Sequence, residues 1–190
     1  MRIPDDAVLV LVDVQKGFDD PAWGRRNNPQ AERNMAKLLE LWRATGRPVV
    51  HFQHHSTRAD SPLNPASPGN AIKEIVRPAS GEPVFSKEAH SCFIGTGLED
   101  WLRERGHRTL VIVGLTTPHC VSTTARMAGD LGYRPYVVAD ATAAFETTGP
   151  DGKQHDAEEV HVLSLAALHE EFATVLGTEE ILKLGEPRES

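Results

Sequence analysis

Three residues whose side chains can carry out acyl transfer sit at comparable places in this sequence. Asp13 closes the apolar run AVLVLVDV, Lys87 closes EPVFSK, and Cys120 follows TLVIVG. A carboxylate can move protons between thiol, leaving group and water, an ammonium lowers a thiol pKa, and a thiolate attacks carbonyl carbon. Cys120 lies at the seam between an apolar run and a helical pattern, in VGLTTPHCVSTTARMAGDLGY. With Thr117 as N-cap, Pro118 takes the first helical position and Cys120 the third. There, unpaired N–H groups and the positive end of the helix dipole favour a thiolate. The Cys120 N–H is also a candidate oxyanion donor. The competing reading of Cys120 is a small buried hydrophobe at a strand–helix junction. Cys92, the other of the two cysteines, has no comparable setting and reads as packing; two cysteines make no disulfide framework, and no C-x-x-C pair suggests zinc.

Other residues near strand ends are candidates for a binding pocket. Gln15, Phe18, Trp23 and Phe93 could line an apolar pocket with one polar contact, or the three aromatic rings could belong to the core or to a subunit contact. In HFQHHS, His51 and His55 share a strand face, but two ligands do not close a metal site. His54 reads as a polar pocket wall, a partner for substrate or for Asp13, and His119 either orients substrate or caps the helix. Asp140 reads as structural, and His155, His161 and His169 as surface groups. Ser122 lacks a G-x-S-x-G elbow and is set aside as a nucleophile.

The elements that must position these groups alternate in type. Continuous apolar runs of strand length, AVLVLVDV, RPVVHFQ, EPVFSK, TLVIVG, RPYVVAD and FATVL, are separated by helical patterns. The first helix is expected to use Asn28 as cap and Pro29 in its first turn, with Met35, Leu38, Leu39 and Trp42 on one face and Gly46 as the stop. TGLEDWLRERG begins with a Thr96-x-x-Glu99 capping box, and a helix over 118–131 ends before Gly132. A last long helix is expected to face inward with Val160, Leu163, Ala167 and Leu168, and a short terminal helix follows FATVL. The segment 56–82, rich in Pro, Ser, Gly and Asn, reads as an ordered surface excursion, and with the loop 146–155 it is expected to shape the pocket mouth. This alternation predicts a parallel sheet covered on both faces, with ligands beyond the carboxyl ends of its strands.

Composition bounds the function. The chain has 190 residues and a net charge of −7, with 20 Lys and Arg in no basic cluster, so it is expected to form a single domain (1–190) and not to bind nucleic acid. The apolar run near the N-terminus ends at Asp13, too short for a membrane span, and no cleavage-site pattern follows, so a cytoplasmic protein without membrane attachment is expected.

At VLVLVDVQKGF, FSKEAHSCFIGTGLEDWL, VIVGLTTPHCVSTTARMAGDLGY and VVADATAAF the chain resembles the isochorismatase-like cysteine hydrolases, which include nicotinamidases and other small-amide hydrolases. The resemblance spans nearly the whole chain. It implies an α/β three-layer sandwich with a six-stranded, mainly parallel sheet and a triad of Asp13, Lys87 and Cys120. It also implies a non-proline cis peptide at Leu115–Thr116 that aims the Thr116 N–H at the oxyanion, and a homodimer or homotetramer. Nicotinamidases of this superfamily hold a metal through an Asp-x-His pair, but here His54 and Ser56 occupy those positions, so neither metal nor cofactor is expected. The expected activity is cleavage of a C–N bond of the amide type in a small-molecule substrate through a thioester. Two alternatives stay open: an enol-ether hydrolase with Asp13 as acid, and a non-catalytic binding module of the same shape.

Overall fold

Residues 2–186 are described in a computed structural model. Six strands form one sheet, each neighbouring pair parallel: β1 (Val8–Val12), β2 (Val49–His54), β3 (Val84–Lys87), β4 (Thr109–Leu115), β5 (Arg134–Ala143) and β8 (Thr174–Leu176). Their order across the sheet is β3-β2-β1-β4-β5-β8. A small antiparallel hairpin, β6 (Thr147–Thr148) with β7 (Gln154–His155), occupies the loop after β5. Every residue of the central strands β1 and β4 is buried, as expected for strands covered on both faces.

Strand alternation divides the core. Leu9 and Leu11 pack toward α1 (Ala31–Ala44) and α5 (Thr178–Gly185), beside Met35, Leu38, Trp42 and Ile181. Val8, Val10 and Val12 pack toward α2 (Leu98–Glu104), α3 (Ser122–Asp130) and α4 (Ala157–Ala166), beside Leu98, Leu102, Ala125, Ala128 and Leu165. The result is the α/β three-layer sandwich. Gly114 permits the close approach of β4 to β1: its φ is +125°, and a Cβ there would stand 2.1 Å from the Val12 carbonyl oxygen.

Several local expectations change. Asn28 does not cap α1. It adopts a φ of 43°, and its amide donates to the carbonyls of Ala139 and Thr142, so α1 begins at Ala31 behind Gln30. The Thr96 capping box is incomplete: the Thr96 hydroxyl accepts the Leu98 N–H at 3.3 Å and donates to the Cys92 carbonyl, but among the described residues no bond returns from the Glu99 side chain, and Gly97 precedes α2. The helix expected over 118–131 is split into a π turn, Thr117–Val121, and α3. On α4, Leu163 is exposed instead of inward, and Ala157, His161 and Leu165 form the buried stripe, which overturns the surface assignment of His161. His155 and His169 do lie toward the surface, paired with Glu159 and the Val175 N–H. Asp140 accepts from the N–H and hydroxyl of Thr178, a structural role. Among the described residues, no helix is long and apolar enough to cross a membrane.

Candidate active site

Strand order decides which polar side chains meet. Lys87 ends β3, His54 ends β2, Asp13 follows β1, and Cys120 lies in the turn after β4, so four adjacent strands present Lys, His, Asp and Cys in one row along the sheet edge. His54 and Lys87 are register partners on β2 and β3. Asp13 lies one strand further on, about 10 Å from the Lys87 backbone at ordinary strand spacing. The long lysine side chain closes that span, and its Nζ donates to Asp13 Oδ2 at 2.6 Å and to the Ala89 carbonyl at 3.1 Å. Nζ also stands 3.4 Å from His54 Nδ1. Both charged side chains of the Lys87–Asp13 pair are wholly buried.

Asp13 itself has a left-handed backbone, φ 50°, anchored by its N–H to the Phe52 carbonyl and by the Gln15 N–H to its own carbonyl. Its second carboxylate oxygen, Oδ1, is buried and has no hydrogen-bond partner among the described residues. A buried, unpartnered acceptor costs free energy and marks a place where a proton can be received. The Cys120 sulfur, a carboxylate oxygen of Asp13 and a ring nitrogen of His54 lie within 4.8 Å of one another. Those three atoms could serve as metal ligands by type, but the Lys87 ammonium against Asp13 and His54 opposes a second cation there. His51 turns away from the site and bonds Glu82, and among the described residues neither it nor His55 joins a metal-ligating group.

The turn that carries Cys120 is wider than an α-turn. The Thr116 carbonyl accepts the N–H groups of both His119 and Val121, and the Thr116 hydroxyl bonds His119 Nδ1 at 3.0 Å. The peptide bond between Leu115 and Thr116 is cis. Because the turn is a π turn capped by Thr116, Cys120 does not occupy the third position of an α-helix. Its thiol does not follow the expected shift either: burial, and then the Asp13 charge, push the Cys120 pKa well up, while Lys87 pulls it down. Burial works against the Lys87 charge, yet Asp13 and the two thiols outweigh it and leave the Lys87 pKa raised. At rest the site therefore holds an ion pair beside a neutral thiol. Burial, with the Lys87 charge, also depresses the His54 pKa, and burial, with His90, depresses that of His119, so both rings are neutral near pH 7.

Above this row opens a cleft of about 640 Å³. Phe18, Trp23 and Phe145 form one wall, their ring centroids 5.4 to 6.2 Å apart, and the Trp23 indole is fixed by its N–H to the Gly17 carbonyl. The cleft is also lined by the rings of His54, His90 and His119, with successive centroids 6.1 and 6.2 Å apart. Ser56, Arg58, the stretch from Asp60 to Leu63, Glu146 and Thr147 also line the cleft, so both loops contribute to it.

Of the residues singled out from sequence, Asp13, Lys87, Cys120, Thr116, His54 and His119 come together, and Phe18 and Trp23 line the cleft. Gln15 is instead a buried brace: its amide donates to the carbonyls of His54 and Asn70 and accepts the His54 N–H. Phe93 packs against Tyr133 in the core cluster beside Leu98 and Leu102 and does not line the cleft. Thr117 is fully buried and points to His161. His90 and Phe145 also line the cleft and are not among the residues singled out from sequence, although each follows a strand end by two or three residues.

A family model for the isochorismatase domain matches residues 7–180. The chain belongs to the isochorismatase family. The isochorismatase family protein YrdC of Bacillus subtilis is 51% identical over 174 residues, 92% of this chain and 93% of that protein. An isochorismatase-family crystal structure from Chromobacterium violaceum superposes with a TM-score of 0.94 at 43% identity, covering 97% of this chain and 96% of that one. Relatives with named chemistry include the ureidoacrylate amidohydrolase RutB of Methylorubrum extorquens, 32% identical over 80% of this chain and 75% of that protein. The isochorismatase-family fold, built on a sheet with helices on both faces, is thus common to this chain and its relatives.

Proposed function

We propose that this protein hydrolyses a C–N bond of the amide type in a small molecule, with Cys120 as nucleophile and a thioester intermediate. The observation that carries the reading is the buried row of Lys87, Asp13 and Cys120, in which Lys87 holds one oxygen of Asp13, the other oxygen has no hydrogen-bond partner among the described residues, and a carboxylate oxygen lies within 4.8 Å of the thiol sulfur. The kinship with an amidohydrolase supports the bond type.

In this reading Asp13 Oδ1 takes the thiol proton as Cys120 Sγ attacks the carbonyl carbon, and the N–H groups of Thr116 and Cys120 receive the oxyanion. Asp13 then gives the proton to the leaving nitrogen, the C–N bond breaks, and an acyl thioester remains on Cys120. Water enters the cleft, Asp13 takes one of its protons as the water oxygen bonds to the acyl carbon, the C–S bond breaks to release the acid, and Asp13 returns the proton to the Cys120 sulfur. Lys87 holds the Asp13 carboxylate in place and favours the transient thiolate. A neutral resting thiol fits a base-assisted attack better than a preformed thiolate, so slow alkylation of Cys120 does not by itself argue against an enzyme.

The test is a screen of small amides and ureides followed by ammonia release, with the acyl adduct on Cys120 sought by mass spectrometry. Cys120→Ala is expected to abolish turnover and adduct while leaving fold and substrate binding intact. Turnover retained in that variant would refute the thioester route and point to Asp13 acting alone as an acid, as on an enol ether.

A further inference from the structure

His161 is a buried, titratable side chain that the proposed chemistry does not use. It sits on α4, is 4% exposed, and directs Nδ1 to the hydroxyl of fully buried Thr117 at 2.8 Å. On its other edge, Nε2 lies 3.3 Å from the Asn28 amide nitrogen, which itself donates to the carbonyls of Ala139 and Thr142 in the second half of β5. The ring thus bridges three elements: the turn that bears Cys120, helix α4, and the left-handed corner at Asn28. If packing alone were required here, an apolar side chain would fill the same space without polar atoms to satisfy. What imidazole adds is a directional bond to Thr117.

That bond matters because of the turn it holds. Thr117–Val121 is a single π turn, and such turns lack the self-supporting ladder of an α-helix. The Thr116–His119 hydrogen bond stays inside the turn, whereas Thr117–His161 leads out of it to another element. Val160, the residue before His161, lines the cleft, so α4 borders the substrate with one side chain and anchors the turn with the next.

We infer that His161 is a positioning residue which, through Thr117, fixes the turn that presents the N–H groups of Thr116 and Cys120 to the reacting carbonyl. The inference rests on the thioester reading above. It concerns the tetrahedral intermediate and not the reactivity of the sulfur, and two probes separate these. Acylation by 4-nitrophenyl acetate passes through an oxyanion: the S–C(O) bond forms, the ester C–O bond breaks, and 4-nitrophenolate leaves as a burst. Alkylation by iodoacetamide displaces iodide directly and makes no oxyanion.

His161→Leu and Thr117→Val are each expected to slow the burst about 10- to 100-fold, the range for a displaced oxyanion donor, with alkylation changed less than about twofold because it uses no oxyanion site. The double variant is expected to be no slower than the slower single, since both remove one link. His161→Gln, which can keep a polar contact to Thr117, is expected to recover part of the burst rate and keeps the test available if the leucine variant folds poorly. An unchanged burst, a parallel fall of burst and alkylation, or multiplying effects in the double variant would each overturn the inference while leaving the thioester reading intact. Absence of any Cys120-dependent release of 4-nitrophenolate, with the unaltered protein in excess over the ester, would instead remove the thioester reading and this inference with it.

Discussion

Replacing Lys87 by Met is the sharpest perturbation of the candidate site, because it removes one member of an ion pair whose side chains are both 0% exposed. Lys87 Nζ is 2.6 Å from Asp13 Oδ2, while Asp13 Oδ1 has no partner among the described residues. The variant therefore leaves a buried carboxylate with its main compensation gone. Breaking a buried pair on one side costs about 3–5 kcal/mol. With a urea m-value of about 2–3 kcal/mol/M for a domain of this size, the midpoint should fall by about 1–2.5 M at pH 7. Asp13→Asn should cost a similar amount by stranding the ammonium. The double variant removes both charges, and it should be at least about 2 kcal/mol more stable than the sum of the single losses predicts. Urea unfolding of the four proteins, followed by tryptophan fluorescence and circular dichroism, measures this cycle. Single losses that add to within about 0.5 kcal/mol would show that the two groups do not act as a coupled pair. The same lysine pulls the Cys120 thiol down against the effect of burial, so Lys87→Met should also move the midpoint of Cys120 alkylation to higher pH.

Three further outcomes follow from the structure. Glu32 is enclosed by Arg26 and Lys73 at 2.5 and 2.8 Å; burial acts to raise its pKa, but the two cations outweigh burial and hold it at about 2. A depressed folded-state pKa gives stability that is complete above the unfolded value near 4.5 and is lost as pH falls toward 2. Glu32→Gln should therefore flatten the acid limb of a stability–pH curve by up to about 3 kcal/mol. Gly114→Ala should destabilise by more than about 4 kcal/mol in urea unfolding, the range of strained backbone combined with overpacking, since the new Cβ would stand 2.1 Å from the Val12 oxygen at a φ of +125°. Trp23→Ala should raise KM on amides found by the screen about 10-fold with a smaller change in kcat, because it removes part of the aromatic wall and none of the reacting groups; an effect confined to kcat would contradict that placement.

Much of this protein was legible from its sequence because the relevant forces are local. Apolar runs such as VLVLV and the spacing of Met35, Leu38, Leu39 and Trp42 specify buried strands and an amphipathic helix through side-chain periodicity alone. The positions of Asp13 and Lys87 at strand ends and of Cys120 just past one follow from the same pattern, and the conserved logic of parallel sheets places strand ends at one edge. Tertiary structure decided the rest. Strand order is a non-local property, and only the order β3-β2-β1-β4 sets Lys87, His54, Asp13 and Cys120 in sequence across one edge. Helix α4 is apolar on nearly every side, so its pattern names no single buried face, and packing chose His161 over Leu163. Phe93 and Phe145 both follow strand ends, yet the path of the chain beyond each strand sends one ring into the core and the other into the cleft. The charge state of Cys120 was likewise out of reach: helix-terminus and lysine effects can be inferred from neighbours in sequence, but burial depends on how much of the whole molecule closes over the sulfur, and here burial is the larger influence.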